Sequence, residues 1–247
     1  MDRTHCPLGL LERLLRQEWD LLGVALPWAE LLAEADRQRV APLLYYRLSA
    51  GEGWLRVPQP WAGHLLARYQ ESTLRNTLYL FSLEAAIAAL NREAIQPILL
   101  KGAALAYTLY AYPALRPMGD LDLWVQPADF SRATAALLRA GWQPTFPGQE
   151  ALLQAEVTHH LSLGNPGGFP RTLELHQHWM TLPGPLRAPG GEESVWRRAV
   201  PVRFGSGQAL VLEPIDHFIY LAAHLARHAA DEDLLIRYAD LALLVER

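Results

Sequence analysis

Asp120 and Asp122 stand one residue apart in the segment RPMGDLDLWVQP, residues 116–127, inside an otherwise apolar run. In an extended strand, residues i and i+2 share a face, with α-carbons about 6.5–7 Å apart. The two carboxylates therefore project together, while Leu121 and Leu123 point into a core. An isolated buried anion costs several kcal/mol, so a pair of them needs compensation. Magnesium is one solution, because it binds through one or two carboxylates plus substrate phosphates. Two such ions would stabilise the attacking and leaving oxygens of an in-line phosphoryl displacement.

A third acid suits the same chemistry. In RTLELHQHW, residues 171–179, Leu173 and Leu175 alternate with Glu174, His176 and His178. Glu174 is thus on the polar face of a second strand, where it can ligate a metal or act as general base on an attacking hydroxyl. His176 is placed to orient a carboxylate or contact nucleotide. Phosphate binding calls for open backbone N–H groups and positive charge, which Lys101 and Gly102 offer at a strand-to-helix junction. Arg116, four residues before the first aspartate, is a second candidate phosphate contact. Of the 22 basic residues, Lys101 alone is a lysine, and it lies 19 positions before Asp120. In so arginine-rich a chain, which fits GC-rich coding, a lone lysine draws attention to its compact, strongly hydrated ammonium.

These residues need elements to hold them. Helical spacing runs from residue 8 to about 50 (Leu10, Leu11, Leu14 and Leu15; Leu31 and Leu32; Leu43 and Leu44) and again over 61–93. The texture then changes. Residues 95–100, IQPILL, read as a strand, 101–112 as a helix, and DLDLWV as the second strand. A helix over 127–142 follows, and QPTF begins a further strand. THHLSL and RTLELHQHW alternate as strands and, with GNPGGFP between them, predict an antiparallel hairpin. The Pro/Gly-rich residues 182–193 read as a surface loop. AVPVRF and ALVL around GSG predict a small hairpin, and two helices close the chain. The expected class is α+β: a small mixed sheet, residues 89–212, between an N-terminal helical region, 1–88, and a C-terminal one, 213–247.

Composition narrows the function classes. A net charge of −4 and pI near 6.1 provide no bulk basic field for long nucleic acid. The single cysteine, Cys6, excludes an internal disulfide framework and a cysteine-based zinc cluster. No apolar run reaches transmembrane length and the N-terminus is charged throughout, so the chain reads as soluble and cytoplasmic.

ILLKGAAL, RPMGDLDLWV, LELHQHW, IYLAAHLARH and IRYADLALL together resemble a family of uncharacterised bacterial nucleotidyltransferases in the polymerase-beta-like superfamily. The resemblance covers residues 61–247. It implies a magnesium-dependent transferase, with two ions, that moves a nucleoside monophosphate from an NTP to an acceptor hydroxyl or phosphate on a small molecule, peptide or protein. By the same resemblance Asp120 and Asp122 are paired metal ligands, Glu174 is the third carboxylate and Gly102 the triphosphate-loop glycine. Lys101 stands where the wider superfamily has a glycine or small residue.

Two other readings stay open. One is a catalytically degenerate nucleotide-binding or protein-interaction module of the same fold. The other is a histidine-based metal hydrolase using His159, His160, His176 and His178; the pair His224 and His228 also has zinc-ligand spacing. His224, Arg237 and Asp240 are placed to form a network between the last two helices. On the transferase reading, Asp120→Asn or Asp122→Asn removes metal-dependent nucleotide binding and leaves the fold nearly intact.

Overall fold

The computed structural model describes residues 6–23, 25–148, 160–165, 167–169, 172–180, 191–228 and 234–246, with Gly23, Glu52 and His228 described as backbone alone. The chain divides into two compact units. The first comprises Met1–Asn76, Ala106–Pro117 and His228–Arg247, the second Thr77–Leu105 and Met118–Arg227. Among the described residues, no helix is long and apolar enough to cross a membrane.

In the first unit, α1 (Pro7–Leu15), α2 (Trp28–Arg37) and α3 (Ala41–Ser49) pack on one another. Each buries the leucines that the 3.6-residue spacing picks out: Leu10, Leu11 and Leu14; Leu31 and Leu32; Leu43, Leu44 and Leu48. The long helix α4 (Gln59–Arg92) supplies residues up to Asn76 to this unit. Its Ser72 and Asn76 donate to the carbonyls of Ala114, Pro113 and Arg116, which fixes the loop before the first aspartate. In the last helix of the chain (Leu235–Val245), Asp240 is buried, with a side chain only 1% exposed. Its carboxylate accepts from the Tyr110 hydroxyl at 2.7 Å and from Arg116 Nε and Nη2 at 3.0 and 2.8 Å. The structure thus gives the Arg116 guanidinium to an internal acid.

The second unit is a mixed α+β layer built on a seven-stranded sheet. Its strands are β1 (Ile98–Leu100), β2 (Leu121–Trp124), β3 (Gln143–Pro144), β4 (His160–Gly164), β5 (Thr172–His176), β6 (Val200–Phe204) and β7 (Gly207–Val211), in the order β3-β4-β5-β2-β1-β7-β6. The two expected hairpins are present as the antiparallel pairs β4–β5 and β6–β7. β1 and β2 are antiparallel, whereas β2–β5 and β1–β7 are parallel. The α+β expectation with a mixed sheet holds. The helices α5 (Lys101–Thr108), α6 (Phe130–Arg139), α7 (Gly191–Arg198) and α8 (Pro214–His228) follow along the chain, and the last helix, Leu235–Val245, is α9.

α7 begins within the segment that reads as a loop. Glu192 and Glu193 in its first turn and Arg197 and Arg198 in its last complement the helix dipole, which offsets the glycines around its start. The rest of that segment, residues 182–190, lies outside the described residues.

On one sheet face Leu121, Leu123, Leu161, Leu163, Leu173 and Leu175 are fully buried. The opposite face carries Asp122, Glu174 and His176, but it is covered too. Trp124, Trp179 and Tyr220 stack in series with 6.0 Å between successive centroids, and Trp196 packs on Trp124 at 4.9 Å. Tyr220 brings α8 into this layer, so the polar face is only partly open to water.

Two outcomes follow from these buried polar groups. Asp240→Asn should destabilise the first unit by about 3–5 kcal/mol in urea denaturation, because Arg116 is left buried without its counter-charge. Replacing both partners by apolar residues should recover most of that loss. His217 on α8 is buried, its Nε2 has no hydrogen-bond partner among the described residues, and burial pushes its pKa down to about 4. Its folded value lies below the ordinary one near 6.5. Its contribution is therefore whole above that ordinary value and is lost as pH falls towards the folded one. Acid titration of stability should lose about 2–4 kcal/mol over that window, and His217→Leu should flatten this limb.

Candidate active site

Sheet register assembles the site. Leu100 pairs with Asp122 across β1–β2, Asp122 with Glu174 across β2–β5, and Glu174 with Ser162 across β4–β5. One row further along, Trp124 pairs with His176 and His176 with His160. Because side chains alternate with period 2, Asp122, Glu174, His176 and His160 all emerge on one face. Lys101 enters from the end of β1, immediately after Leu100.

The centre of this face is a cluster of five titratable residues, Lys101, Asp122, His160, Glu174 and His176. Lys101 Nζ donates to Asp122 Oδ1 at 2.7 Å and stands 3.6 Å from Glu174 Oε2. His176 Nε2 addresses the same two oxygens, at 2.9 and 3.5 Å. An ionised carboxylate only accepts, so His176 carries its proton on Nε2. His160 Nε2 is 3.7 Å from Glu174 Oε1. Asp122 and His176 are each 1% exposed, whereas Lys101, Glu174 and His160 are 18–26% exposed. The cluster is thus closed at Asp122 and open towards Lys101 and Glu174.

Burial and charge pull against each other here, and charge wins. Burial works to raise the Asp122 pKa, but Lys101 and then His176 hold it far below the usual carboxylate range. Burial alone would lower the Lys101 pKa, yet the charge of Asp122, with Tyr220 and Glu174, drives it above its ordinary value. His176 is likewise raised, its hydrogen bonds to Asp122 and Glu174 outweighing desolvation. His160 goes the other way, because desolvation exceeds the pull of Glu174. Asp122 is therefore anionic and both of its partners are cationic at moderately acid pH.

The sequence expectations sort out as follows. Asp122 and Glu174 meet across the parallel β2–β5 pair, with His176 beside them. Among the described residues, ligand atoms of Asp122, Glu174 and His176 lie within 4.8 Å of one another, a spacing that suits a metal ion. Asp120 stands outside this set: it precedes the first residue of β2, so the strand rule that places i and i+2 on one face does not bind it. It is half-buried, and its charge still acts on the Tyr220 phenol, whose pKa is raised chiefly by burial. Gly102 is buried in the first turn of α5. Arg116 is engaged by Asp240, as described above. His178 turns to Glu192, at 3.0 Å, rather than continuing the strand face. His159 and the His228 side chain lie outside the described residues.

Two features were not read from sequence as parts of this site. Tyr220 gives no signal beyond one aromatic in an amphipathic helix. The direct Lys101–Asp122 pair joins residues 21 apart, and only the antiparallel turn of β1 against β2 brings them together. The cluster also alters one expectation. Neutralising Asp122 would weaken the charge compensation of the buried His176, so Asp122→Asn is expected to cost stability as well as metal binding.

Whether these residues fit a divalent cation is decided by their free donor atoms. Asp122 Oδ2 is buried with no hydrogen-bond partner among the described residues. A carboxylate oxygen left in this way, with a second carboxylate beside it, suits a hard cation. The imidazole of His176 is hydrogen-bonded to Asp122 and could orient that carboxylate or offer a ligand atom itself.

No curated protein and no solved structure matches the chain. A family described as uncharacterised nucleotidyltransferase matches residues 25–247, which include every residue of the cluster. The chain belongs to this family of nucleotidyltransferases.

Proposed function

We propose that the chain transfers a nucleoside monophosphate from an NTP to a hydroxyl or phosphate of a small molecule, peptide or protein, with release of pyrophosphate. The observation that carries this reading is the in-register pair Asp122–Glu174, with Asp122 Oδ2 left unpartnered, in a chain that belongs to a nucleotidyltransferase family. Asp122 and Glu174 would hold magnesium, and Asp120 would complete the ligand set from the approach to β2. When bound, the ion supplies charge neutralisation at the α-phosphate and the pyrophosphate leaving group. His176 orients Asp122 through its Nε2–H. Glu174, the more exposed acid, accepts the proton of the attacking hydroxyl. Lys101 and Gly102, at the start of α5, receive the β- and γ-phosphates through charge and open N–H groups. Arg116 is assigned to Asp240, and net charge −4 disfavours a long nucleic acid as acceptor.

One observation favours a second reading, a module that binds nucleotide without turnover: Lys101 Nζ itself pairs with Asp122 Oδ1 at 2.7 Å. Pyrophosphate release from labelled NTP, with magnesium and a panel of small-molecule and protein acceptors, separates the two. Glu174→Gln, at a partly exposed position, should keep its melting temperature and lose about a hundredfold or more in turnover. Turnover equal to that of the unaltered chain would remove Glu174 and this mechanism together. Nucleotide binding without any turnover in the unaltered chain would favour the module.

A further inference from the structure

We infer that the Lys101 ammonium is a resident counter-ion that a divalent cation must displace, so that ion and nucleotide bind this site cooperatively. The inference rests on the divalent-ion reading of the cluster and concerns how that site loads.

Four observations carry it. Lys101 Nζ lies 2.7 Å from Asp122 Oδ1 and 3.6 Å from Glu174 Oε2, the two carboxylates that a shared ion would bridge. Magnesium–oxygen distances near 2.0–2.1 Å put an ion bridging these acids within a few ångströms of the ammonium. Like charges at such a separation, away from bulk water, repel strongly. Second, Lys101 is 18% exposed while Asp122 is 1% exposed, so the lysine head has an exit and the aspartate has none. Third, Lys101 adopts φ +45°, a left-handed conformation that costs a residue with a β-carbon and persists only where its surroundings impose it. The positive-φ residues Arg39 and Ala94 close helices, whereas Lys101 sits where β1 turns directly into α5. The ammonium that pairs with Asp122 thus starts from a junction whose backbone is itself constrained. Fourth, this position is the one lysine among 22 basic residues. A flexible stem ending in a compact ammonium can leave a carboxylate for a phosphate, whereas a guanidinium fork grips the carboxylate with two bonds.

Loading then follows from charge balance. With the Lys101 ammonium between Asp122 and Glu174, the cluster attracts an ion alone less strongly. A triphosphate at the start of α5 offers the ammonium another partner, which vacates the carboxylates for the ion. Each ligand thereby strengthens the other, and by linkage the effect is reciprocal.

Manganese, which is spectroscopically visible, is titrated alone into the unaltered chain, Lys101→Met and Lys101→Arg, and then with a non-hydrolysable NTP. Lys101→Met should bind manganese about tenfold more tightly than the unaltered chain without nucleotide, and the nucleotide should add little further gain. Lys101→Arg should bind it no more tightly than the unaltered chain. In the unaltered chain the nucleotide should raise manganese affinity severalfold. Equal or weaker manganese binding by Lys101→Met overturns the inference while leaving the metal site in place. Absence of manganese binding in all three proteins, with and without nucleotide, removes the metal reading and this inference with it. If Lys101→Met unfolds in metal-free buffer, manganese should raise its melting temperature more than that of the unaltered chain; a smaller rise counts against the inference.

Discussion

Asp122 is a carboxylate with almost no solvent exposure in the middle of a sheet, and it is kept ionised by the Lys101 ammonium and the His176 imidazole, which meet on a single oxygen. Removing either partner from such a group is costly, because the remaining charge has no water to return to. The register of three strands therefore carries more than a packing preference. A one-residue slip of β2 would send Asp122 among the leucines and expose Leu121 and Leu123 to the charged face. Leucine burial on one face and charge balance on the other both select the same register.

The aromatic layer gives the cluster its electrostatic strength. Trp124, Trp179 and Tyr220 cover a face that alternation alone would leave polar and wet, and in that drier setting each charge contact weighs more. Glu174 and Lys101 remain partly open, so the dry end of the cluster sets geometry while the open end can meet a ligand. The loop that leads into Asp120 is tied from α4: within the second unit the Tyr79 hydroxyl donates to the Gly119 carbonyl at 2.6 Å. The first unit has its own buried lock in Arg116, Asp240 and Tyr110.

Family membership gives nucleotidyl transfer as the reaction class, and the structure adds how the acids are kept ready. In the structure the lysine and the histidine compensate these carboxylates directly. The left-handed backbone at Lys101 lies at the same junction, where β1 turns directly into α5.

Much was legible in the residues themselves. Period-2 alternation in LELHQH and DLDLW marked which side chains share a face, and the solitary lysine drew attention to the end of β1, where it meets Asp122. Both hairpins and the α+β class followed from turn residues and from the switch between helical and strand spacing. Three things were not legible, each for a physical reason. Asp120 falls just outside its strand, and strand ends are set by hydrogen bonding between chains rather than by local pattern. Arg116 went to Asp240, 124 residues away, a pairing that no local spacing encodes. Lys101 went to Asp122 because β1 and β2 run antiparallel and α5 starts on a left-handed residue. The sequence by itself determined which residue types could make a charged, ion-binding face. Only the tertiary structure decided their pairings, because charge compensation depends on distances of a few ångströms between segments far apart along the chain.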